Sequence, residues 1–535
     1  MPFMRQLFLL GSLLLALPMW GGNRTVTVAV FTLNDFHCGI VQDLRKEIPG
    51  APWVVQTLDS LKKEYPYHVT LSAGDNFGGS FYYSATRQSS LMPRVFCDMG
   101  ITLSVPGNHA FDDGQEAFAR KWADSDYLPR RWDFRYVCAN MRCKGRIPDS
   151  CQPWAVVPVP IGDGDTVKVA VTGLITANTP YQASARKVAG LEFDARYDAV
   201  LDSLEHLPGY SEVAEADVHV LATHITAYNL NGKPVFDDPG QDALYSLDRD
   251  DIDAIVAAHS HSKLAGYIQC GRSYPIVQAY WHGGYVGMLL CEVDPDTHRT
   301  LKVTPSIVPV NPHARLDVKA ARLKAQIDEQ IATTHFRGHA LNEVLAHAAA
   351  DIPHDRTVKT IETGVGQLVT EAYADAYRNA TAEDGKEHEG DIVVGISHFG
   401  SIRAGFYAGD ITVLDVGEAL PFANPLKCYR YTGRQLKTLL DFGLNRCRLG
   451  RMQTNRLRVE QDAKGNIRRI YARNNRGGEV PVNDKTRLIL VTDDYITTGG
   501  DGYSPAFFPE ADVIGVDVPQ STDAFIQYLQ RKKTL

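Results

Sequence analysis

The chain has 535 residues, which exceeds the roughly 100 to 200 residues usual for one domain, so at least two hydrophobic cores are expected. Its formal net charge is −8, from 55 basic and 63 acidic side chains. This acidic sum indicates no broad basic surface for duplex DNA or an anionic membrane, and it disfavours an exonuclease acting on long nucleic acid. An anionic substrate would have to be attracted locally, by bound metal.

The N-terminus has the pattern of a cleaved export signal. Arg5 precedes an apolar run over residues 7–20, and the small residues Gly21 and Gly22 follow it. The run is shorter than the roughly 20 residues that a membrane span needs, and no cysteine follows it directly. We therefore predict a signal peptide over residues 1–22, export to the periplasm or the extracellular space, and no integral membrane segment after cleavage. The alternative is a buried first helix.

The chain contains nine cysteines, which is compatible with an oxidising compartment. Three of them are close together in the sequence, at Cys138, Cys143 and Cys151, and Cys428 with Cys447 is a further plausible pair. The odd number leaves at least one thiol unpaired. The sequence does not determine the connectivity.

Short β-branched runs alternate with helical or irregular stretches in the first half of the chain. These predicted strands cover residues 25–33, 68–72, 101–105, 167–174, 217–223 and 252–258. Each run ends at a group of His, Asp, Asn and Gly residues, and the carboxyl ends of strands are where α/β folds usually place their chemistry. The endings of these strands therefore predict a functional site.

The composition changes to helix formers over residues 312–336, which we interpret as a linking helix. A second α/β pattern follows, with helices predicted over 366–378 and 433–444 and strands over 391–396 and 487–491. The predicted organisation is a domain over 23–311, the linking helix over 312–336 and a second domain over 337–535. The fold class is α/β (α+β).

Five separate segments carry residues of the kinds that bind metals. They are residues 34–37, 74–76, 107–109 with Asp112, 223–224 and 259–261. Two divalent ions about 3.5 to 4 Å apart need a bridging carboxylate with oxygen and imidazole ligands on each side, and this set supplies them. A single Asp-x-His pair would be weak, but the order and spacing of the whole set favour a metal site. Strand alternation is expected to direct Asp35 and His37 to one side, and Cys38 to the opposite, core-facing side.

With these segments the chain resembles the calcineurin-like metallophosphoesterases, and among them the two-domain 5′-nucleotidase family. The resemblance implies an N-terminal four-layer αββα β-sandwich, a linking helix and a C-terminal α/β nucleotide-recognition domain. It implies two metal sites that share Asp75, one formed by Asp35, His37, Asp75 and His261, and the other by Asp75, Asn108, His224 and His259. It also implies that His109 and Asp112 are a catalytic pair beside the metals.

The chemistry of such a site is consistent with those roles. Two metals lower the pKa of a bound water, so that hydroxide attacks phosphorus in line, while His109 stabilises or protonates the leaving oxygen and Asp112 fixes its tautomer. The ligand types suit Mn, Zn, Fe or Co and do not decide among them. One position departs from the family pattern: Ala110 stands where a Glu is usual, so altered support of the site is expected rather than loss of activity.

Five other histidines have no matching partners in the sequence and are interpreted as surface or loop residues: His282, His335, His339, His347 and His354.

The second half carries motifs that resemble the nucleoside-binding loops of the same family: residues 400–403, 420–422 and 494–503. The resemblance implies that Phe422 and Tyr495 clamp the base, Asp501 binds the sugar, and Arg403 points toward phosphate or ribose. Stacking on an aromatic ring contributes about 1 to 3 kcal/mol per base. The competing interpretation is a core Phe422 and an ordinary Gly-rich turn.

Two further substrate-site positions depart from the family. His398 stands where Asn is frequent, and Lys359 stands where Arg is frequent, and Lys does not replace a bidentate Arg like for like. Base preference is therefore open.

The sequence thus predicts a metal-dependent phosphoric monoester hydrolase acting on small nucleoside 5′-phosphates. Alternatives are a 2′,3′-cyclic-nucleotide phosphodiesterase with 3′-nucleotidase activity, a nucleotide-sugar hydrolase, or a catalytically inactive nucleotide-binding surface protein. The oligomeric state is not predicted.

Overall fold

The structure is a computed structural model that describes residues 25–86, 91–120, 132–162, 164–183, 186–355, 358–382 and 392–535. The predicted signal peptide over residues 1–22 lies outside the described residues. Among the helices in those ranges, none combines the length and the apolarity needed to cross a bilayer.

The first part of the chain is rich in strands. In chain order these are β1 (Val26–Leu33), β2 (His68–Ser72), β3 (Leu103–Ser104), β4 (Arg135–Val137), β5 (Met141–Cys143), β6 (Cys151–Gln152), β7 (Trp154–Gly162), β8 (Asp165–Ile175), β9 (Leu191–Phe193), β10 (Val218–Leu230), β11 (Lys233–Phe236), β12 (Ala254–Ala258), β13 (Lys263–Gln269), β14 (Ser273–Ala279), β15 (Tyr285–Asp294) and β16 (Arg299–Pro309). The helices are α1 (Ala51–Glu64), α2 (Phe81–Thr86), α3 (Met92–Met99), α4 (Gln115–Arg120), α5 (Thr179–Gln182), α6 (Tyr197–Leu204), α7 (Ser211–Ala214) and α8 (Gln241–Tyr245).

Two large sheets form the centre of this part. One has the order β16-β15-β1-β2-β3-β4-β6, and the other has the order β13-β14-β12-β10-β8-β7, with β11 paired to β10. Val30 of the first sheet and Val171 and Val220 of the second belong to one buried cluster between the sheets. Helix α1 packs on the outer face of the first sheet, and α6 and α8 pack on that of the second. This is the four-layer αββα arrangement that the resemblance implied.

The buried strands are explained by their sequence. From Val28 onward β1 is completely buried, and its near-continuous apolar run is typical of a strand covered on both faces. It pairs in parallel with β2, and β2 pairs in parallel with β3. In the other sheet β10 pairs in parallel with β8 and β12. The predicted site residues follow the carboxyl ends of β1, β2, β3 and β12, whereas Thr223 and His224 lie within β10.

Helix α9 (Val318–Thr333) lies within the predicted linking segment. Asp317 caps its first turn by accepting a hydrogen bond from the Ala320 backbone N at 2.9 Å. Its apolar side chains at Leu323, Ile327 and Ile331 are buried, and the helix packs against α1.

The second part of the chain contains five helices and eleven strands among its described residues. The strands are β17 (His335–Phe336), β18 (His339–Ala340), β19 (Val344–Ala348), β20 (Val393–Ser397), β21 (Gly409–Thr412), β22 (Leu426–Thr432), β23 (Gln453–Thr454), β24 (Leu457–Gln461), β25 (Ile467–Arg473), β26 (Glu479–Val482) and β27 (Arg487–Asp493). The helices are α10 (Gly364–Ala382), α11 (Val413–Ala419), α12 (Gly433–Asn445), α13 (Asp494–Thr497) and α14 (Ser521–Lys532).

This part is built on a four-stranded sheet of order β22-β27-β20-β23 and a three-stranded sheet of order β24-β25-β26. Strands β20 and β27 run parallel, so the residues that follow them, His398 and Asp494, emerge at one edge. Helix α10 packs on β20, and α12 packs on β22 and β25. The site loops of this half therefore extend from a mixed α/β scaffold.

All nine cysteines are described, and none of them forms a disulfide. The plausible pair Cys428 and Cys447 is not formed, because the two side chains pack against different hydrophobic clusters. Cys138 and Cys151 are both buried, and the Cys138 thiol donates to Asn140 Oδ1 at 3.6 Å rather than forming a disulfide.

Candidate metal centre

The predicted metal ligands lie mainly in the turns that follow the strands. Asp35 and His37 follow β1, Asp75 follows β2, and His259 and His261 follow β12. Their φ angles are 49°, 44°, 48°, 73° and 53°, so all five adopt the left-handed region. Non-glycine residues enter this region at an energetic cost, and such residues concentrate at functional sites.

These turns correct one argument from the sequence. Strand alternation does not place Asp35 and His37 on one side, because β1 ends at Leu33 and both residues are in a left-handed turn. The turn brings His37 Nε2 to 4.0 Å from Asp35 Oδ1. Cys38 lies in the same turn and is buried in the core, so its predicted burial is correct although strand alternation is not the cause.

The ligand-type side chains form two groups of three. Within each group the potential ligand atoms lie within 4.8 Å of one another, and the groups are Asp35 with His37 and His261, and Asp75 with His224 and His259. Asp75 lies between the groups, since its Oδ2 is 3.1 Å from His224 Nε2 and 3.9 Å from His37 Nε2. A carboxylate in this position is suited to bridge two cations.

Hydrogen bonds orient the imidazole rings. His37 Nδ1 faces the Gly78 carbonyl at 3.1 Å, and His224 Nδ1 faces the Ala73 carbonyl at 2.8 Å. In the tautomers that donate to these carbonyls, the Nε2 atoms retain their lone pairs. His37 Nε2 and His261 Nε2 lie 3.2 Å apart and so point to the same position. Metal-binding histidines are usually held in this way by their second nitrogen.

Several buried polar atoms of the cluster have no hydrogen-bond partner within the described residues. They include Asp35 Oδ1 and Asn108 Oδ1. A buried polar atom without a partner is costly unless an ion or water satisfies it. The donor set of carboxylate, amide and imidazole groups therefore fits divalent cations.

Burial and neighbouring charges oppose each other within the cluster. Burial raises the pKa of Asp75, but His224, His109 and His37 outweigh it and hold that pKa well below its usual range. Burial lowers the pKa of His224, but the Asp75 carboxylate outweighs it and raises the value to about 9. Burial raises the pKa of Asp35, which has less cationic support. The carboxylates thus demand positive charge, which protons on imidazole or metal ions can supply.

His109 and Asp112 form a pair at the open side of the cluster. His109 Nδ1 and Asp112 Oδ2 are 2.9 Å apart, and the side chains are 32% and 34% exposed. The His109 backbone N donates to Asp75 Oδ1 at 2.9 Å, which ties the pair to the cluster. Gly78 packs against this pair at φ +73°, and a Cβ there would lie 2.3 Å from Asp112 Oδ2. Only glycine fits that position.

Ala110, next to His109, is 5% exposed and belongs to the hydrophobic core. A side chain that packs in this way supports the turn by apolar contact where the family pattern has Glu.

Two residues beside the cluster were not predicted. Gln182 at the end of α5 faces His259, with 2.9 Å between their Nε2 atoms, so the Nδ1 atom of His259 is the one left for a metal. His282 stacks on Trp281 with ring centroids 4.2 Å apart, and its backbone N donates to the Asp35 carbonyl at 3.0 Å. The sequence offered no signal for Gln182, and for His282 it offered only its position after β14.

Two of the isolated histidines, His282 and His354, lie in loops as expected, but each has a neighbour that the sequence did not indicate. His282 lies against the metal cluster, with its ring centroid 6.0 Å from that of His37. His354 is buried, and its Nδ1 lies 2.9 Å from Thr363 Oγ1. His335 and His347 are exposed, as expected.

In the second half three predicted substrate residues come together. His398 Nδ1 lies 2.7 Å from Asp501 Oδ2, and the Tyr495 hydroxyl donates to Asp501 Oδ1 at 3.1 Å. The rings of His398 and Tyr495 are stacked, with centroids 4.7 Å apart. Asp501 therefore has both carboxylate oxygens held, and one face of Tyr495 is covered by imidazole.

The remaining predicted substrate residues are arranged around this group. Phe422 is 54% exposed and Tyr495 is 43% exposed, so neither ring is fully in the core. The Arg403 guanidinium lies 5.8 Å from the Phe422 ring centroid. Burial raises the pKa of Asp501, but hydrogen bonding and the charge of His398 outweigh it and lower the value. The positive charge of Lys359 adds a smaller lowering effect. Within the described residues no ring contact joins Phe422 to Tyr495.

Comparison with known proteins extends over both halves. The calcineurin-like phosphoesterase family model matches residues 30–263, and the 5′-nucleotidase C-terminal domain model matches residues 338–508. The chain therefore belongs to the two-domain family in which a calcineurin-like phosphoesterase domain is joined to a 5′-nucleotidase C-terminal domain.

Individual relatives are distant. Endonuclease YhcR of Bacillus subtilis is 26% identical over 78% of this chain, which corresponds to only 33% of the length of YhcR. Cell wall protein Lmo0130 of Listeria monocytogenes is 23% identical over 95% of this chain and 68% of its own length. Others, at 21% to 23% identity, are named 5′-nucleotidase, apyrase and trifunctional nucleotide phosphoesterase. The crystal structure of a 5′-nucleotidase precursor from Thermus thermophilus shares the fold, with a TM-score of 0.63 and 23% identity over 95% of this chain and 97% of that one.

Proposed function

We propose that the chain is an exported 5′-nucleotidase that releases phosphate from nucleoside 5′-phosphates. The observation that carries this proposal is the pair of ligand groups on either side of Asp75, next to the half-exposed His109 and Asp112. Phosphoester hydrolysis with divalent metals is the chemistry of the family. We propose in addition that the substrate is a nucleoside 5′-phosphate.

The residues that would hold the metals follow from the two groups. Asp35, His37 and His261 would hold one cation, and Asn108, His224 and His259 the other, with Asp75 shared. Two bound divalent cations would supply charge neutralisation at the phosphoryl oxygens and a more acidic water. The chain's own contribution is to fix these side chains, which it does through the carbonyls of Ala73 and Gly78.

His109 would act as the general acid toward the leaving oxygen. Burial lowers the pKa of His109, but Asp75 and Asp112 outweigh it and raise the value above the usual range while no cation shares Asp75. With Nδ1 bound to Asp112, the proton for transfer is on Nε2. Asp112 is itself positioned by the Gly79 backbone N at 3.2 Å.

Tyr495 and Phe422 would supply the base clamp, and Asp501 would receive the ribose hydroxyls. Stacking tolerates any base, which fits a general nucleotide substrate. Arg403 and Lys359 would attract the anionic part of the substrate. His398 would contribute to the substrate site through Asp501 and Tyr495, which it contacts on two sides.

Export, the domain limits at 23–311, 312–336 and 337–535, and cleavage after residue 22 belong to the same proposal. They are supported by the sequence of the N-terminus and by relatives that include a cell wall protein. N-terminal sequencing of the protein recovered from its producing cells tests cleavage. A mature chain that still begins at Met1 would contradict it.

Substrate choice is tested by chromatographic analysis of the products formed from AMP, UMP, ATP, UDP-glucose and a 2′,3′-cyclic nucleotide, each with Mn, Zn, Fe or Co added in turn. A 5′-nucleotidase releases phosphate fastest from the monophosphates. Faster turnover of the cyclic nucleotide or of UDP-glucose would instead favour a phosphodiesterase or a nucleotide-sugar hydrolase. No turnover of any of them, with nucleotide binding retained, would identify an inactive binding protein.

A further inference from the structure

The net charge of the chain conceals two unlike regions. Residues 427–487 contain 16 Lys and Arg but only five Asp and Glu, a local charge of +11. The rest of the chain contains 39 basic and 58 acidic side chains, a charge of −19. A segment of such opposite sign within an acidic protein indicates contact with an anionic partner.

Part of this charge lines a groove between the N-terminal end of α12 and strands β25 and β26. The groove has a volume of about 450 Å³ and carries the four cations Lys437, Arg468, Arg469 and Lys485, all exposed. Asp484 is the single carboxylate in its wall. We refer to this groove as the basic groove. Its size is within the range of about 300 to 1,000 Å³ common for binding sites.

Most of the cations in the basic groove are not neutralised by the protein. Arg468 pairs with Asp462 at 2.7 Å, and Asp484 is engaged by Arg434 at 3.3 Å. Lys437, Arg469 and Lys485 have no carboxylate within 4.0 Å among the described residues. Three cations facing one concave surface without counter-charges repel one another and stabilise a bound polyanion.

Helix α12 connects this groove to the proposed nucleoside site. The helix has 13 residues and so is roughly 20 Å long. Its N-terminal end lines the basic groove, while Phe442 near its C-terminal end contacts the Tyr503 ring at 4.9 Å. The Cys447 thiol, just beyond the helix, donates to the Asp501 carbonyl at 3.6 Å. The positive surface thus begins one helix length from the group that holds Tyr495.

We propose that the basic groove binds the phosphodiester backbone of a single-stranded oligonucleotide. A repeating anion can contact several of the cations that line one groove at the same time. The inference goes beyond the proposed function, because a mononucleotide does not require a second anion site one helix away.

An anionic lipid surface fits the same charges less well. Membrane-surface segments combine cations with exposed apolar side chains that enter the headgroup layer. Leu449 is the large apolar side chain that is exposed within residues 427–487. It follows the C-terminal end of α12, whereas the groove is at the N-terminal end of that helix. A concave cationic wall without apolar anchors favours a nucleic acid strand.

The test measures the affinity for a fluorescently labelled oligothymidylate of 20 nucleotides without a terminal phosphate, by fluorescence anisotropy at 50 and 200 mM NaCl. The unsubstituted protein is expected to bind at 50 mM and to weaken steeply at 200 mM. The variant Lys437→Gln/Arg469→Gln/Lys485→Gln should bind at least tenfold more weakly, with the slope of log K against log salt reduced by about two, at about 0.7 per lost phosphate contact.

A matched control removes three exposed cations elsewhere, in Lys144→Gln/Lys233→Gln/Arg272→Gln. This control should change the affinity less than twofold. Equal losses in both variants, or no binding by the unsubstituted protein at 50 mM, would overturn the proposal. So would binding of phosphatidylserine vesicles that depends on the three groove cations while the oligonucleotide is not bound. AMP hydrolysis measured in parallel tests the proposed function separately, since its absence leaves the binding result intact.

Discussion

Asp75 lies between the two imidazole groups and is 2% exposed. An Asn in its place keeps one neutral acceptor oxygen and loses the charge that two cations would share. We expect Asp75→Asn to lose both metals and most of its activity together. The measurement is elemental analysis of metal per chain after dialysis, beside phosphate release. The exposed variant Asp237→Asn is the control, and two full metals in an active Asp75→Asn protein would contradict the bridging role.

Substitution of His109 is expected to have a different effect on metal binding. His109 contacts Asp75 through its backbone N, and its side chain is not one of the proposed metal ligands. His109→Ala should retain its metals while kcat falls by about 10²- to 10⁴-fold, the range of a positioned general acid. Asp112→Asn should cause a smaller fall, because the imidazole remains and only its orientation is weakened. Loss of metal from the His109→Ala protein would make His109 a ligand instead.

At the scale of single residues, ligand types could be predicted and their geometry could not. The carboxylates and histidines were recognisable because each follows a short apolar run. These side chains come close to one another because residues such as Asp35 and His259 adopt left-handed turns. Alternation along a strand does not predict such turns. Gln182 was missed for a related reason: its partner His259 lies 77 residues away in the chain, and only the fold brings them together.

At the scale of elements, the turn after the first ligands contacts the second half of the chain. Arg45 pairs with Asp415 at 2.8 Å, and Lys46 pairs with Glu418, both in or beside α11. Burial lowers the pKa of Lys46, but Glu418 and Asp43 outweigh it and hold the value above its usual range. At Glu418 burial outweighs Lys46 and raises the pKa of the carboxyl, so the attraction within the pair is opposed by the cost of burying the carboxylate. Lys46 follows His37 by nine residues, and Glu418 precedes Phe422 by four, so this contact relates the metal centre to the proposed clamp.

We predict that the Lys46 and Glu418 pair contributes measurably to stability. The side chains are only 16% and 29% exposed, so solvent screens the pair less than a surface pair. A double-mutant cycle with Lys46→Met and Glu418→Gln, measured by urea unfolding, should give a coupling energy of at least about 1 kcal/mol. The exposed pair Lys324 and Asp328 is the control and should give below about 0.5 kcal/mol. Equal values for the two pairs would show that burial adds nothing.

The elements themselves were predicted with unequal success. The strand at 68–72 and the helix beginning at Gly433 agree closely with β2 and α12, because strong apolar periodicity marks them. Strand β10 continues to Leu230, seven residues beyond its predicted end, since its last part pairs with β11 as a hairpin. Sheet β24-β25-β26 was not predicted, although β24 alternates apolar and charged residues as a half-buried strand does; in β25 two adjacent arginines interrupt that alternation.

At the scale of the whole molecule, the two halves share one hydrophobic cluster. Phe81 of α2 contacts the Phe336 ring at 4.6 Å, and it packs so closely on α11 that a Cβ at Gly417 would lie 2.1 Å from it. Helix α9 also packs on α1. A chain cut near Pro312 would therefore lose α9 and expose the outer face of α1. The proposal that the first half carries the chemistry and the second half recognises the base is therefore better tested in the full chain.

All proposed metal ligands precede Lys263, and every proposed base contact follows Ile352, so chemistry and recognition should be separable by substitution. Phe422→Ala/Tyr495→Ala should lower kcat/KM for AMP by about 10- to 10³-fold, mainly through KM, because a stacking contact contributes about 1 to 3 kcal/mol per base. The same variant should hydrolyse a small aryl phosphate nearly as fast as the unsubstituted protein, since that substrate has no base to stack.

Tyr267→Ala is the matched comparison, because it removes an exposed ring in the first half of the chain and should leave kcat/KM for AMP and for the aryl phosphate nearly unchanged. The quantity that decides is the ratio of kcat/KM for AMP to that for the aryl phosphate, measured in the three proteins. The ratio should fall in Phe422→Ala/Tyr495→Ala and remain within about threefold in Tyr267→Ala. If removal of both rings leaves the ratio unchanged, the second half does not recognise the base. The proposed role of Asp501 at the ribose would then also fail, since it depends on the same bound orientation of the nucleoside.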